Sequence, residues 1–111
     1  MSAQAGNAAD LRARVTLEAP NDTPDDAGAL QRVWTPFAAA WARIAPLRGA
    51  ETFVAGGQET TLQYDITLRW RGDLASPMRM RYGARLFYIR AVFDPDGARR
   101  WLVCRCEEYV A

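Results

Sequence analysis

The chain contains no histidine and no lysine; all 14 of its basic residues are arginine, set against 13 acids for a net charge of +1. These gaps exclude much chemistry. Histidine is the commonest general base and the commonest metal ligand, while lysine supplies Schiff bases and the cation of phosphate-binding loops. Serine is scarce as well: Ser2 and Ser76 are all there is, and neither sits in a nucleophile-elbow sequence. The acids show no spacing that suggests a catalytic pair. The chain therefore reads as a non-enzyme with no catalytic residues, no cofactor, no metal and no small-molecule substrate.

Cysteine is limited to Cys104 and Cys106. Two apart on a strand, they point to one face with Cα atoms about 6.5–7 Å apart. Their Cβ vectors run parallel at the edge of disulfide reach, so they read as two small buried apolar side chains. Half of the residues are apolar, at 50%, but no run approaches the roughly 18 needed to span a bilayer, and no membrane partner is expected. Met1–Asp10 has neither a basic start nor an apolar stretch, so it reads as a flexible tail rather than a secretory signal. One domain over residues 11–111, cytoplasmic by default, fits the 12.4 kDa chain. Nor does a charge of +1 announce a nucleic-acid binder.

What the sequence does have is alternation. Leu62, Tyr64, Ile66, Leu68 and Trp70 fall on one face of a run whose other face is Gln63, Asp65, Thr67, Arg69 and Arg71. Leu11–Glu18 and Met78–Tyr82 alternate in the same way, which predicts half-buried strands. Leu86–Phe93 and Trp101–Tyr109 are apolar on both faces and read as central or interface strands. Tyr82-Gly83-Ala84-Arg85 and Asp94-Pro95-Asp96-Gly97 read as hairpin turns. Pro20–Gly28 reads as an acidic, Pro- and Gly-rich loop leading to a strand near Gln31–Thr35. Phe37–Ala45 has the alanines of a helix, but is read as extended, with Ala42 and Ile44 inward and Trp41 and Arg43 outward. Leu47–Glu59, with Gly49, Gly56 and Gly57, is either a long loop or a loop holding a short helix over Ala50–Ala55. The sum is all-β: a small antiparallel β-barrel or sandwich of six or seven strands.

Two constellations could carry function. Arg69, Arg71, Arg79 and Arg81 fall on outward faces of two strands expected to be adjacent, either as a basic band for DNA or an acidic partner, or as a solvated face balanced by nearby acids. Trp41 and Trp101 fall opposite neighbouring core positions and suggest an oligomer interface, or alternatively a core filled with large rings. Asp22, Asp25 and Asp26 lack the spacing of a calcium loop.

The order of features is more specific than any one of them. It runs from Arg12-Ala13-Arg14-Val15-Thr16, through Asp26-Ala27-Gly28, Trp34 and Trp41-Ala42-Arg43-Ile44-Ala45-Pro46-Leu47, to Gly49-Ala50-Glu51. Ile66-Thr67-Leu68-Arg69-Trp70-Arg71, Pro77-Met78-Arg79-Met80, Phe87-Tyr88-Ile89, Asp94-Pro95 and Leu102-Val103-Cys104 follow. Over about residues 11–110 this resembles the phage head-closure family, the head–tail joining or stopper proteins of long-tailed phages and gene transfer agents. The resemblance implies a small β-barrel assembling as a homo-oligomeric ring, hexameric in expectation. Its partners would be a portal or adaptor ring above, tail terminator or tail-tube proteins below, and packaged double-stranded DNA in the channel. Such a protein assembles in the bacterial cytoplasm and ends in the neck of the particle, with no catalytic motif. Carried onto this chain, the resemblance makes Gly49, Glu51, Phe53, Gly56 and Gly57 the candidate channel or ring-contact loop. It makes Asp22, Asp25 and Asp26 the candidate contact to a neighbouring ring. The alternative expectation is a small nucleic-acid-binding barrel that uses its Arg-rich sheet face.

Overall fold

A computed structural model describes residues 10–47, 52–53 and 60–110. The strands are β1 (Ala13–Pro24), β2 (Leu30–Pro46), β3 (Thr52–Phe53), β4 (Thr60–Arg69), β5 (Arg79–Tyr82), β6 (Arg85–Phe93) and β7 (Trp101–Val110). They lie in the order β2-β1-β5-β6-β7-β4-β3, all antiparallel. A further pairing, Ala42↔Leu68 through Pro46↔Tyr64, joins β2 to β4 and closes six strands into the expected barrel. Closure removes most of the sheet edges that would otherwise template aggregation.

Alternation built this ring. Val15 and Leu17 on β1, Ala42 on β2, Ile66 and Leu68 on β4, Met80 on β5, Phe87 and Ile89 on β6, and Cys104 and Cys106 on β7 are all fully buried inside it. Tyr64 meets Phe87 edge to face at 5.1 Å between ring centres, the arrangement favoured by the aromatic quadrupole. The alanines of Phe37–Ala45 are extended as read, because pairing to β1, and to β4 from Ala42 onward, outweighs their weak helix preference. Gly83, with φ of +61°, makes the tight β5–β6 turn. Asp94 anchors the β6–β7 turn by accepting the amide N–H groups of Asp96, Gly97 and Arg99.

Four expectations need correction. Thr52–Phe53 is a strand paired with Thr60 and Thr61, so no helix spans Ala50–Ala55. Pro20–Pro24 is not loop but the outer half of β1, paired to Leu30–Trp34, so that the turn itself is confined to Asp25–Ala29. Trp70 is 37% exposed rather than in the core: β4 ends at Arg69, and Trp70 sits in the following loop over Gly72. Trp101 does point out of the barrel, but it is only 8% exposed, because the Arg69 guanidinium lies over its ring at 5.4 Å.

The paired outer halves of β1 and β2 form a two-stranded arm beyond the barrel. A register irregularity at Leu17/Glu18, where β2 carries one extra residue, marks its base. The arm gives the molecule extents of 50 × 33 × 25 Å and a radius of gyration of 15.3 Å, against about 13 Å for a compact domain of this length. Here β1 tolerates Pro20 and Pro24 because its other edge pairs with β5 at Thr16–Glu18 and no further.

Candidate functional site

The arm is the first candidate. Its tip is built by Asp25, whose carboxylate accepts the amide N–H groups of Ala27 and Ala29 at 2.9 Å each, while Gly28 takes φ of +87°. Asp25 therefore shapes the turn. Asp22 lies one step back on β1 and pairs with Arg32 at 3.0 Å, a hydrogen bond that holds its carboxyl below the ordinary value. Asp26 is exposed. Of the three acids assigned to a neighbouring contact, one is thus a strand residue neutralised in place and two crown the tip.

An isolated two-stranded hairpin is marginal in water, yet this one is braced. Trp34 on β2 lies over the Arg79 guanidinium at 4.3 Å and meets Tyr88 edge-on at 5.8 Å. Tyr88 in turn stacks against Tyr109 at 5.4 Å. Arg90 stands between these two tyrosines, 6.0 Å from each ring centre, bonded to Glu107 at 2.7 Å and to the Tyr109 hydroxyl. Arg32 extends the series on the far side of Trp34, also at 6.0 Å. The result is an alternating ladder of cations and rings from the barrel wall to the arm, each rung a modest attraction.

Beneath Trp34 lies the anchor. Glu18, just 4% exposed, accepts from Arg79 Nε at 2.5 Å and Arg81 Nε at 3.0 Å. Burial pushes its carboxyl up, but the hydrogen bonds and charges of the two arginines outweigh that and leave it below 4.5. Arg79 also donates to the Tyr88 hydroxyl at 3.2 Å. Arg79 is therefore 8% exposed rather than outward in solvent.

This dissolves the expected basic band. The strands carrying Arg69 and Arg79 are not adjacent: β6 and β7 separate β4 from β5 on one side, β1 and β2 on the other. Arg79 and Arg81 share Glu18, and Arg71 is tied to Asp73 at 2.8 Å. Arg69 alone of the four makes no ion pair among the described residues.

A smaller cationic patch takes its place. Trp41 is 51% exposed on β2, with Arg14, its register partner on β1, over its ring at 5.3 Å. Arg43 follows two residues along the same face. Continuing the β2–β4 register by one step sets Arg69 on the other side, and Arg69 and Trp41 line one groove with Trp70. Toward the arm, β2 also exposes Leu30 at 71%, Val33 and Phe37.

Reactive chemistry is scarce in the described residues. They hold no group of three or more residues able to ligate a metal. Both thiols are free and buried; burial, then the Asp65 charge, pushes Cys104 up to about 12, and Cys106 is raised for the same reasons and by Cys104 itself. Tyr64, Arg85 and Glu108 form a linked trio, with Arg85 bonded to Glu108 at 2.8 Å and to the Tyr64 hydroxyl at 3.1 Å, which fastens β4, β6 and β7. Gly49, Glu51, Gly56 and Gly57 lie outside the described residues, and Phe53 lies in β3. Sequence reading missed the roles of Glu18, Trp34 and Tyr88, whose significance depends on partners up to 63 positions away; Trp34 and Tyr88 enter the sequence only as steps in the order of features that carries the resemblance.

Comparison with known proteins places this geometry. A search of curated proteins finds no match. Among solved structures, a chain in the virion of a native gene transfer agent particle is similar at 28% identity and a TM-score of 0.69, covering 87% of this chain and 93% of that one. The solution structure of a protein from Shigella flexneri 2a is similar in fold, at 24% identity and a TM-score of 0.67, covering 92% and 96%. The phage head completion protein family model matches residues 6–109. Such membership implies a structural, non-enzymatic role in the head of a phage-like particle. With a family match over nearly its whole length, on a closed barrel with a braced arm, this chain belongs to the phage head completion protein family.

Proposed function

We propose that the chain is a ring-forming connector at the head–tail junction, closing the DNA-filled head and offering the tail its platform. The observation that carries this is the strand β2, which leaves a closed barrel to display Leu30, Val33, Phe37 and Trp41 to solvent. By the β1–β2 register Leu30 and Trp41 share one face of β2 and Val33 lies on the other, so the strand offers apolar side chains on both faces, which suits docking rather than catalysis. A ring needs contacts that repeat by rotation and close, and an arm on one side with an aromatic patch on the other suits that need. The hexameric copy number, the portal or adaptor ring above, the tail proteins below and DNA in the channel follow from the family resemblance. Gly49, Glu51, Gly56 and Gly57, set on either side of β3 in the sequence, remain the candidates for a channel-facing loop.

The test is a particle made without this chain. It should package DNA, leak it and carry no tail, and normal particles should show a ring of this protein at the neck. Tails attached normally in its absence would remove the proposal.

A further inference from the structure

We infer that the ring contact is made by the arm tip of one copy seated on the Trp41 patch of the next copy of the same chain. The inference rests on the ring reading above and names its interface. The tip combines an exposed apolar residue with carboxylates: Leu30 is 71% exposed beside Asp25 and Asp26, neither of which is ion-paired among the described residues. The patch is its complement. Trp41, 51% exposed, is flanked by Arg14, Arg43 and Arg69, none of them ion-paired among the described residues. Other arginines with an acid in reach use it: Arg32, Arg71, Arg79, Arg81, Arg85, Arg90, Arg100 and Arg105 all do. Opposite charges around an apolar centre fix register and disfavour wrong partners.

Geometry supplies the occupant. Leu30 and Trp41 are on the same strand, so at about 3.3 Å per residue they stand about 36 Å apart. The brace of Trp34 on Arg79 and Tyr88 holds the arm against the barrel wall and prevents it from folding back. A tip therefore cannot reach its own patch, but it can reach that of a neighbour. Because tip and patch are different surfaces, the contact is heterologous, and repeating it generates a ring if the rotation closes. Resemblance alone pointed the acidic turn at an adjoining ring; the charge pattern points to a second copy.

The experiment is a cysteine cross-link in assembled particles. Ala27→Cys at the tip and Ala39→Cys beside Trp41, both exposed sites, are combined in one full-length chain and oxidised; the native Cys104 and Cys106 are buried. A ladder of covalent multimers of this chain alone is expected. Reversing the tip (Asp26→Arg, which leaves the Asp25 turn intact) or the patch (Arg14→Glu with Arg43→Glu) should cut cross-link yield at least about tenfold, and reversing both should restore it. Cross-links to a different protein, or a neck ring visible by electron microscopy with no ladder, would overturn the interface while leaving the connector role intact. Particles with no neck ring of this chain would overturn both.

Discussion

Removing the Glu18 carboxylate gives the sharpest check on the packing described above. Glu18→Ala leaves Arg79, 9% exposed at its side chain, without a counter-ion beneath Trp34, while the exposed Arg81 turns to solvent. Breaking a buried ion pair from one side costs about 3–5 kcal/mol. The low end applies, because Arg79 keeps the Tyr88 hydroxyl and the Trp34 face. About 3 kcal/mol is a large share of the ~5–15 kcal/mol that holds a domain folded. At about 2.1 cal/mol/K per residue over 111 residues it lowers Tm by about 13 °C. Glu18→Ala with Arg79→Met removes both charges and keeps the stem's volume, so it should regain most of the loss. Calorimetry of the four proteins closes the cycle. Acid sharpens it further. A carboxylate held below its ordinary 4.5 contributes stability that is complete above that value and lost as pH falls through the folded one. Between about pH 5 and pH 3 the parent should thus lose more stability than Glu18→Ala. A Tm drop under about 4 °C for Glu18→Ala, or a double variant as unstable as the two single losses summed, would show that the pair does not hold this wall.

Other tests concern the arm and the thiols. Trp34→Ala removes the ring over Arg79 and its edge contact with Tyr88. It should cost about 1–2 kcal/mol and speed amide exchange across Gln31–Thr35 far more than in the barrel, with Val33→Ala as the mild control; unchanged exchange would mean the arm stands without its brace. Cys104 and Cys106 should resist maleimide in the folded protein at about pH 8 and react together on unfolding, since burial keeps both as thiols. Rapid stoichiometric labelling of either would contradict the core assignment.

How far the sequence could be read depended on where the information lay. Period-2 alternation found the wall from Leu62 to Leu68 because each inward residue there meets the same closed core. It misplaced Trp70, one residue past the end of pairing, where side-chain direction is no longer set by the pleat. It also pointed Trp101 outward correctly but left its burial open, since a long arginine can bury a ring on the solvent side. The resemblance identified the family while each fragment alone was uninformative, because order and spacing survive where individual residues change. Arg79 was beyond reach: its partner Glu18 is 61 positions away, and only barrel closure puts them together. The arm was hidden by its own composition, since Pro20, Pro24 and three acids deplete the strand signal that the pairing to β2 then restores.

Those two prolines bear on what happens to a subunit before it meets its neighbours. Pro20, Asp22 and Pro24 alternate in step, so they face their amide positions toward the same unpaired side of β1. Two of those three positions have no hydrogen to donate. A stray chain approaching that border finds one donor where it would need a row, and cannot extend the sheet. Along that border of β1, a neighbouring subunit is therefore offered side chains rather than a run of backbone donors to join by.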